Sequence, residues 1–316
     1  MEKSSNNLLA FSAGVDSSAL FFWLLEKDVS FDIAIVNYHT RDTSDEEVEY
    51  AKKLAKKYNK KIHIKECFLE KFSEKTARKC RYEFFEQIIK EYKYDTLITA
   101  HQLNDRLEWF LMQFTKGAGL KEMLSLYEWE ERENYKIWRP FYNLSRKEIL
   151  TFLNERDIKY YVDVTNYDIK YKRNFFRKEF SNKLLEHFEK GIKRSFSYLE
   201  EDVKLIFNSE WEKEEKLYRF KKSKKEIDLK KTDQICKLLG VLLTKKQRDE
   251  ILKTGFSCVV QGKISVDSNE KEIFIAPYVK IPMPKEFKDK MRKNKIPPKV
   301  RSYIYSLEKN KKNSLS

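Results

Sequence analysis

The sequence lacks the residue patterns that mark secreted, zinc-binding and membrane proteins. Its four cysteines, Cys67, Cys80, Cys236 and Cys258, are far apart and form no CxxC pair. We therefore expect reduced thiols, with neither a disulfide framework nor a zinc site. No apolar run approaches the roughly 18 residues of a membrane span, and the apolar stretch near the start is too short for a signal peptide. These absences predict a cytoplasmic protein with no membrane partner.

The length and the charge predict two parts with different partners. A chain of 316 residues exceeds the usual size of one domain. Residues 209–316 carry 28 Lys and Arg against 15 Asp and Glu, which leaves 37 against 35 in residues 1–208. This excess of positive charge in the last third indicates a polyanionic partner there. A lysine-rich surface that only keeps the protein soluble fits the composition equally well.

Strand and helix patterns alternate in the first part of the chain. Short apolar segments at residues 7–11, 31–36, 61–64 and 96–100 predict strands, and the segments between them have apolar residues at helical spacing. This alternation predicts an α/β fold with a doubly wound parallel sheet. We place this catalytic domain at residues 1–195.

The pattern changes after residue 195. A polar stretch with scattered aromatic residues predicts one helix over 196–220, within a helical connector at 196–225. Two short helices and three short strands predict a smaller, basic α+β domain at 226–316. Within it, Gln261-Gly262 is typical of a hairpin turn.

One loop has the features of a phosphate site. Between the first predicted strand and helix lies the sequence Ser12-Ala13-Gly14-Val15-Asp16-Ser17-Ser18. Small residues let the backbone approach a phosphate, and the N–H groups at a helix N-terminus attract anions. A carboxylate repels phosphate, so Asp16 suits such a loop only if it holds Mg²⁺ or orients the loop. The alternative is a Ser/Gly turn that caps an ordinary helix.

A second group of polar residues follows the fourth predicted strand. His101, Asp105 and Glu108 share one helix face at the strand end, where doubly wound sheets bind ligands. Two carboxylates there suit a cationic substrate or a metal, although an exposed polar face is the alternative. Gly117 and Gly119 belong to a set of only seven glycines, so we expect them to serve backbone geometry or close ligand approach. A simple helix C-cap is the alternative reading.

These motifs together resemble a known family. The loop at residues 11–18 is similar to the SGGxDS loop of the PP-loop ATP pyrophosphatases, which adenylate their substrates. Further ordered motifs narrow the resemblance to the bacterial tRNA(Ile)-lysidine synthetases, and they lie at residues 36–47, 77–83, 99–108, 116–120, 139–140, 163–166 and 173–177. The resemblance covers about residues 8–180. Three positions depart from the family pattern: Ala13 replaces a glycine, Tyr38 a histidine and Trp109 a threonine.

The resemblance implies a reaction and its substrates. ATP adenylates O2 of the wobble cytidine, position 34, in the isoleucine tRNA with a CAU anticodon. Free L-lysine then attacks C2 and displaces AMP. The expected cofactors are ATP and Mg²⁺, and the oligomeric state stays open between monomer and homodimer.

The resemblance also implies roles for individual residues. We expect ATP to contact the phosphate loop from Ser12 to Ser18, together with His101 and Gly117. Asp16 is the expected Mg²⁺ ligand, and the expected catalytic residues are Asp16, Arg81, Asp105 and Glu108. The expected substrate-binding residues are Arg78, Arg139, Asn166, Arg173, Asn174 and Arg177.

There are three alternatives, of which the tRNA thiolases belong to the same superfamily. The tRNA thiolases adenylate a base but need cysteines that carry sulfur, and no family-like pair is present. A non-catalytic RNA-binding protein on a degenerate nucleotide fold would have little need for Asp16, Asp105 and Glu108. An amidotransferase-type ligase needs a glutaminase domain, for which there is no sign in this sequence.

Overall fold

The structure is a computed structural model that describes residues 6–39, 43–69, 73–162, 172–207 and 211–313. The chain divides into two compact units, Met1–Glu200 and Glu201–Ser316. Within the described ranges, no helix is long and apolar enough to cross a membrane. Each unit has its own sheet and its own core.

The first unit is built on a six-stranded sheet. Its strands are β1 (Asn7–Ala10), β2 (Asp32–Asn37), β3 (Ile62–Glu66), β4 (Thr96–Ile98), β5 (Trp129–Glu131) and β6 (Lys136–Trp138). The order across the sheet is β3-β2-β1-β4-β6-β5, and only the edge pair β5–β6 is antiparallel. Strands β1 to β4 agree with the sequence prediction, whereas the β5–β6 hairpin was not predicted.

Helices cover both faces of this sheet. The principal ones are α1 (Val15–Glu26), α2 (Ser44–Lys57), α3 (Glu74–Tyr92), α4 (Leu103–Phe114) and α6 (Arg146–Glu155), with the single turn α5 at Leu120–Met123. Side chains of α1, α2 and α6 form one core cluster, including Phe21, Leu54 and Leu153. Side chains of α3, including Phe85 and Ile88, form a second cluster with Leu8 and other sheet residues. The predicted doubly wound α/β fold is confirmed.

The strand order locates the place where a ligand is expected. The chain leaves β1 toward β2 on one side, while β4 lies on the other side of β1. In open α/β sheets, ligands bind at the carboxyl ends of the strands where the order reverses in this way. Two segments meet there: the loop after β1, which includes Asp16, and the segment after β4, which includes His101.

The end of the first unit is built from successive helical segments rather than one regular helix. The structure has a short helix α7 (Lys172–Phe176), a π-helical turn at Arg177–Ser181 and the long helix α8 (Asn182–Phe207). Inside α8, Phe188 has non-helical dihedral angles of φ −127° and ψ 19°. The π turn begins at Arg177, an expected substrate-binding residue, and such turns are frequent at functional sites.

The second unit is an antiparallel sheet with helices that follow α8. Its strands are β7 (Glu212–Glu214), β8 (Leu217–Lys221), β9 (Cys258–Val260), β10 (Ile264–Ser268) and β11 (Glu272–Pro277), in the order β7-β8-β11-β10-β9. The helices are α9 (Lys225–Leu238), α10 (Lys245–Lys253), α11 (Lys285–Lys293) and α12 (Pro298–Asn313). Gln261 and Gly262 have φ of 50° and 64°, so the predicted hairpin turn between β9 and β10 is confirmed.

The predicted helix over residues 196–220 is wrong in its second half. Helix α8 ends at Phe207, and β7 and β8 follow at 212–221. In β8, Leu217, Tyr218 and Phe220 are buried, and β8 pairs with β11. The many Glu and Lys residues here favour a helix locally, but burial against the sheet overrides this propensity.

The prediction of four reduced cysteines is wrong for two of them. Cys67 and Cys80 form a disulfide, whereas Cys236 and Cys258 are free and buried. Cys67 follows β3, with its N–H bonded to Asn37 O at 2.8 Å, and Cys80 lies within α3. The two residues are 13 apart in sequence. The fold therefore brings the two cysteines together, and their spacing in the sequence does not match a CxxC motif.

Candidate active site

The loop after β1 has the geometry of a phosphate site. Gly14 caps α1 in an extended conformation, with φ −76° and ψ 173°. The hydroxyl groups of Ser12 and Ser17 lie 3.1 Å apart, and the Ser12 N–H donates to Ser17 Oγ at 3.2 Å. Ser18 Oγ is buried and has no hydrogen-bond partner among the described residues. The loop thus places hydroxyl and N–H groups together at a helix N-terminus, where an anion is stabilised.

Ala13 shows why the family loop has a glycine at this position. Its φ is 56°, in the left-handed region that a side chain disfavours. The Tyr161 N–H donates to Ala13 O at 2.9 Å, which helps to hold this conformation. The departure from the family pattern therefore leaves the glycine-like backbone in place.

Asp16 is the one acidic residue in the first turn of α1. Its Oδ1 is buried and has no hydrogen-bond partner in the part of the chain that the structure describes, and its Oδ2 lies 3.8 Å from Nη1 of Arg146. Burial raises the pKa of Asp16 to about 7, and the charge of Asp105 adds to this effect, while Arg146 and Arg177 oppose it. A buried, unpaired carboxylate oxygen fits a bound cation.

The segment after β4 positions the second set of residues. Thr99 Oγ1 and His101 Nδ1 lie 2.9 Å apart, and Asp105 Oδ2 accepts the Gln102 N–H at 3.0 Å within the N-terminal capping box of α4. Burial lowers the pKa of His101 to about 3, and Arg139, Arg173 and Arg81 act in the same direction, against Asp105. His101 is therefore neutral near pH 7.

Four charged side chains from α4 and the α7 region form one cluster. Nη2 of Arg173 contacts Asp105 Oδ1 at 2.5 Å, and its Nε contacts Glu108 Oε2 at 2.9 Å. Nε of Arg177 contacts Glu108 Oε1 at 2.6 Å, and its Nη2 donates to Oε2 at 3.1 Å. Glu108 is fully buried, with 0% of its surface exposed. The structure therefore brings the two expected catalytic carboxylates into contact with two of the expected substrate-binding arginines, which the sequence analysis did not predict.

Asp105 and Glu108 differ in their ionisation. Burial raises the pKa of both groups. At Asp105, Arg173, His101, Arg177 and the Gln102 N–H together outweigh burial, so its pKa lies below the usual range. For Glu108, burial and the charge of Asp105 outweigh the same two arginines, so its pKa is raised. One carboxylate is thus firmly ionised, while its neighbour ionises less readily. Two such groups can hold an ammonium and accept a proton from it.

Arg146 belongs to the site, although sequence analysis did not single it out. It opens α6, its N–H donates to Asn104 Oδ1 at 3.1 Å, and its guanidinium faces Asp16. A cation in the first turn opposes the helix dipole. In the sequence, Arg146 directly follows Ser145, the N-cap of α6. A cation at this unfavourable position was the available sequence signal for a functional arginine.

The other predicted site residues lie in different surroundings. Arg81 is half-buried, and its charge acts on both His101 and Tyr38. The guanidinium of Arg78 lies 4.6 Å from the ring centre of Tyr82 on the exposed face of α3. Both arginines thus lie on α3, but only Arg81 reaches the cluster electrostatically.

The remaining predicted site residues differ in what they contact; they are Arg139, Gly117, Asn174 and Asn166. Arg139 is buried and bonds Tyr127 O at 2.9 Å and Glu130 Oε2 at 2.6 Å, so it anchors the β5 segment. Gly117 has φ 72°, and an added Cβ there would meet nothing within 4 Å, which fits the C-cap alternative. Asn174 lies in α7 beside Arg173, and Asn166 lies outside the described residues.

The site joins an anion-binding loop to a group of carboxylates. No set of three His, Cys, Asp or Glu side chains that could hold a metal occurs in the described ranges. A cation at Asp16 would therefore take most of its ligands from bound phosphates and water. The arrangement suits a nucleotide on the loop and a cationic substrate beside it.

The fold and this loop together define an ATP-binding protein of the PP-loop class. Residues 2–184 match the PP-loop domain family. The U34-tRNA thiolase NcsA from Methanococcus maripaludis shares the fold, with a TM-score of 0.53 at 17% identity over 63% of this chain and 72% of that chain.

Curated relatives narrow the class further. The tRNA(Ile)-lysidine synthase of Campylobacter jejuni strain RM1221 is 45% identical over 308 residues, which cover 96% of this chain and 94% of that protein. The tRNA(Ile)-lysidine synthase of Helicobacter pylori strain 26695 is 40% identical over 313 residues, which cover 96% and 90%. The chain belongs to the tRNA(Ile)-lysidine synthase family.

Proposed function

We propose that this protein is a tRNA(Ile)-lysidine synthase, a carbon–nitrogen ligase that converts ATP to AMP and pyrophosphate. O2 of cytidine 34 in the CAU-anticodon isoleucine tRNA attacks the α-phosphorus of ATP, and pyrophosphate leaves. The amino group of free L-lysine then attacks C2 and loses a proton, and AMP leaves. These substrates belong to the cytoplasm, so the proposed location is cytoplasmic.

One observation supports a cationic amine as the second substrate, in addition to ATP binding. Asp105 and Glu108 lie side by side, buried, next to the phosphate loop, and both already contact cationic side chains. A substrate ammonium carries the same charge as those guanidinium groups. A pocket of this kind favours a positively charged amine over a neutral or anionic nucleophile.

The chain's own residues take the following roles in this proposal. The loop from Ser12 to Ser18 binds the phosphates of ATP, and Asp16 fits a Mg²⁺ ion that would neutralise them. Asp105 and Glu108 orient lysine, and Glu108, with its raised pKa, suits acceptance of the amine proton. When lysine takes over the bonds to Glu108, Arg173 and Arg177 become available for the charge on the α-phosphate.

A direct assay tests the activity. The protein is incubated with ATP, Mg²⁺, labelled lysine and total bacterial tRNA, and the labelled nucleoside is then located. We expect label at position 34 of one isoleucine tRNA, only when ATP is present. Label-free tRNA, together with intact ATP, would exclude the proposed reaction.

The lysine pocket is tested by Glu108→Gln. A charge-assisted hydrogen bond contributes about 1.5–3 kcal/mol, so the KM for lysine should rise by about one to two decades. The KM for ATP should change much less. Glu200→Gln is a matched control, because Glu200 also pairs with a buried arginine, Arg106, away from the cluster. Equal effects of Glu108→Gln on lysine and ATP would assign Glu108 a structural role instead.

A further inference from the structure

A basic cavity lies on the side of the first unit, apart from the site described above. Its volume is about 390 Å³, within the roughly 300–1,000 Å³ of ligand pockets. The C-terminal half of α2 forms one wall, and the loop that follows α6 forms the other. We call it the lysine groove and define it by Tyr50, Lys53, Lys57, Tyr58 and Lys159.

The cavity lining also contains the carboxylate of Asp157, but the three lysines of the groove form no ion pair with it. In the part of the chain that the structure describes, no carboxylate lies within ion-pair distance of Lys53, Lys57 or Lys159, whereas Lys52 on the same helix contacts Glu49 at 2.6 Å. The fourth cation of the lining, Arg156, is held by Glu26 at 2.6 Å. The groove thus presents three amines that are available to an anion.

The sequence of α2 concentrates these amines on one face. Residues 50, 53, 54, 57 and 58 follow the spacing of a single helix face. Leu54 is buried there, but Lys53 and Lys57 are exposed one turn apart, where like charges repel each other. A bound anion between them would remove this repulsion.

Hydrogen bonds fix the opposite wall in place. The Tyr50 hydroxyl donates to Lys159 O at 2.7 Å, and the Tyr161 N–H donates to Ala13 O in the phosphate loop. Burial, and then Tyr161 and Tyr58, raise the pKa of Tyr50 to about 12, so its hydroxyl keeps its proton. The groove is therefore preformed, and its second wall continues into the phosphate loop.

We propose that the lysine groove binds the sugar–phosphate backbone of the tRNA substrate next to the segment that enters the active site. This inference rests on the proposed function. A polymer with a phosphate at every nucleotide matches separate amines along an open groove better than one small anion does. The Lys57 amine lies over the Tyr58 ring at 5.2 Å and the Lys159 amine over the Tyr50 ring at 5.9 Å, so the two rings help to hold these amines at the groove.

The first test removes the three charges together in Lys53→Ala/Lys57→Ala/Lys159→Ala. Because each phosphate contact releases about one counterion, we expect tRNA affinity to fall about tenfold or more at low salt and the salt slope to fall by about 3. The control Lys56→Ala/Lys61→Ala/Lys90→Ala removes the same charge at exposed lysines outside the groove. Equal losses in both variants would overturn the proposal, since bulk charge alone would then explain the binding.

A local readout keeps the proposal testable if a variant folds poorly. The parent protein is acetylated with and without tRNA, and each lysine is followed by mass spectrometry. We expect tRNA to protect Lys53, Lys57 and Lys159 severalfold, while Lys56, Lys61 and Lys90 react as before. Protection by inorganic phosphate or AMP at the same concentrations, but not by tRNA, would overturn the proposal in favour of a small-anion site.

The lysine incorporation assay on the same preparations separates the two hypotheses. If lysidine forms while the groove lysines stay unprotected by tRNA, the groove inference fails and the proposed function stands. If the groove lysines are protected but no lysidine forms, the proposed function fails and the RNA contact stands.

Discussion

Asp16 occupies an unusual position for an acidic residue. The N–H and hydroxyl groups around it attract anions, and Asp105 and Glu108 add negative charge nearby. Burial, followed by the charge of Asp105, raises its pKa to about 7. The carboxyl group is thus half-ionised near neutral pH until a cation, such as the proposed Mg²⁺, favours the ionised form.

We predict that Asp16→Asn nearly abolishes ATP-dependent modification of tRNA. The amide has the shape of the carboxylate but cannot neutralise a cation. Because the loop binds phosphates of ATP rather than the RNA body, tRNA affinity should stay within a few-fold of the parent. Turnover assays and filter binding check the two halves of this prediction, and undiminished turnover would remove Asp16 from the mechanism.

The same substitution should change stability in a pH-dependent way. The folded-state pKa of Asp16 lies above the unfolded value of 3.8, so the group's contribution to stability is complete below pH 3.8 and is lost as pH rises through about 7. Asparagine has no such loss. We therefore expect Asp16→Asn to raise the melting temperature by a few degrees at pH 8, and by less at pH 5.

The exposed residue Asp249 provides the control for this stability measurement. Asp249→Asn should leave the melting temperature nearly unchanged at both pH values. A melting temperature of Asp16→Asn that falls below the parent at pH 8 would show that the carboxylate stabilises the loop instead.

At the scale of elements, α3 is held at its first turns by three kinds of contact. Ser73 and Thr76 form a capping box, the Tyr38 hydroxyl donates to Ala77 O at 3.0 Å, and Cys80 is bonded to Cys67. The same stretch carries Arg81, whose charge acts on His101. The link between β3 and α3 therefore fixes a helix that supplies charge to the site.

We predict that reduction loosens the start of α3. Amide hydrogen exchange at residues 75–82 should quicken severalfold in dithiothreitol, and Cys80→Ser should show the faster exchange without reductant. Amides of the second unit should not respond, because Cys236 and Cys258 are already free. Unchanged exchange at α3 after complete reduction would show that the capping box and the Tyr38 contact hold the start of α3 without the disulfide.

The sequence predicted those elements in which local and tertiary preferences agree. The loop from Ser12 to Ser18 was predictable because its small residues, its flanking strand and its helix spacing all indicate one structure. β8 was not, because its helix-favouring neighbours hide the alternation, and its burial depends on pairing with the distant β11. The contacts of Arg173 and Arg177 with Glu108 span 65 and 69 residues, so only the fold shows them.

For the whole molecule, the positive charge of the second unit is partly neutralised by its own carboxylates. In α11, Lys290 contacts Glu308, and Arg292 contacts Asp289, both at 3.2 Å. Lys293 and Lys295 are exposed and have no ion-pair partner in the described ranges. These two side chains are therefore better placed to contact a polyanion.

We predict that Lys293→Ala/Lys295→Ala lowers the salt slope of tRNA binding by about 2, since each lysine accounts for about one released counterion. Lys290→Ala/Arg292→Ala should lower it less, because the lost cations already have partners. Equal slopes for both double variants would contradict this prediction.

A chain that ends at Phe207 keeps the Arg106–Glu200 contact and should still bind ATP while losing most tRNA affinity. Full tRNA affinity of the shortened chain would contradict a role of the second unit in tRNA binding.

The cysteine arrangement also makes the native chain a convenient subject for fluorescence. Two thiols, Cys236 and Cys258, are buried, and the other two are joined to each other. After mild reduction, Cys80 is half-buried while Cys67 is only 6% exposed, so a maleimide dye should attach mainly at Cys80. The dye would then lie one residue from Arg81 and report on ATP and tRNA binding without any engineered cysteine.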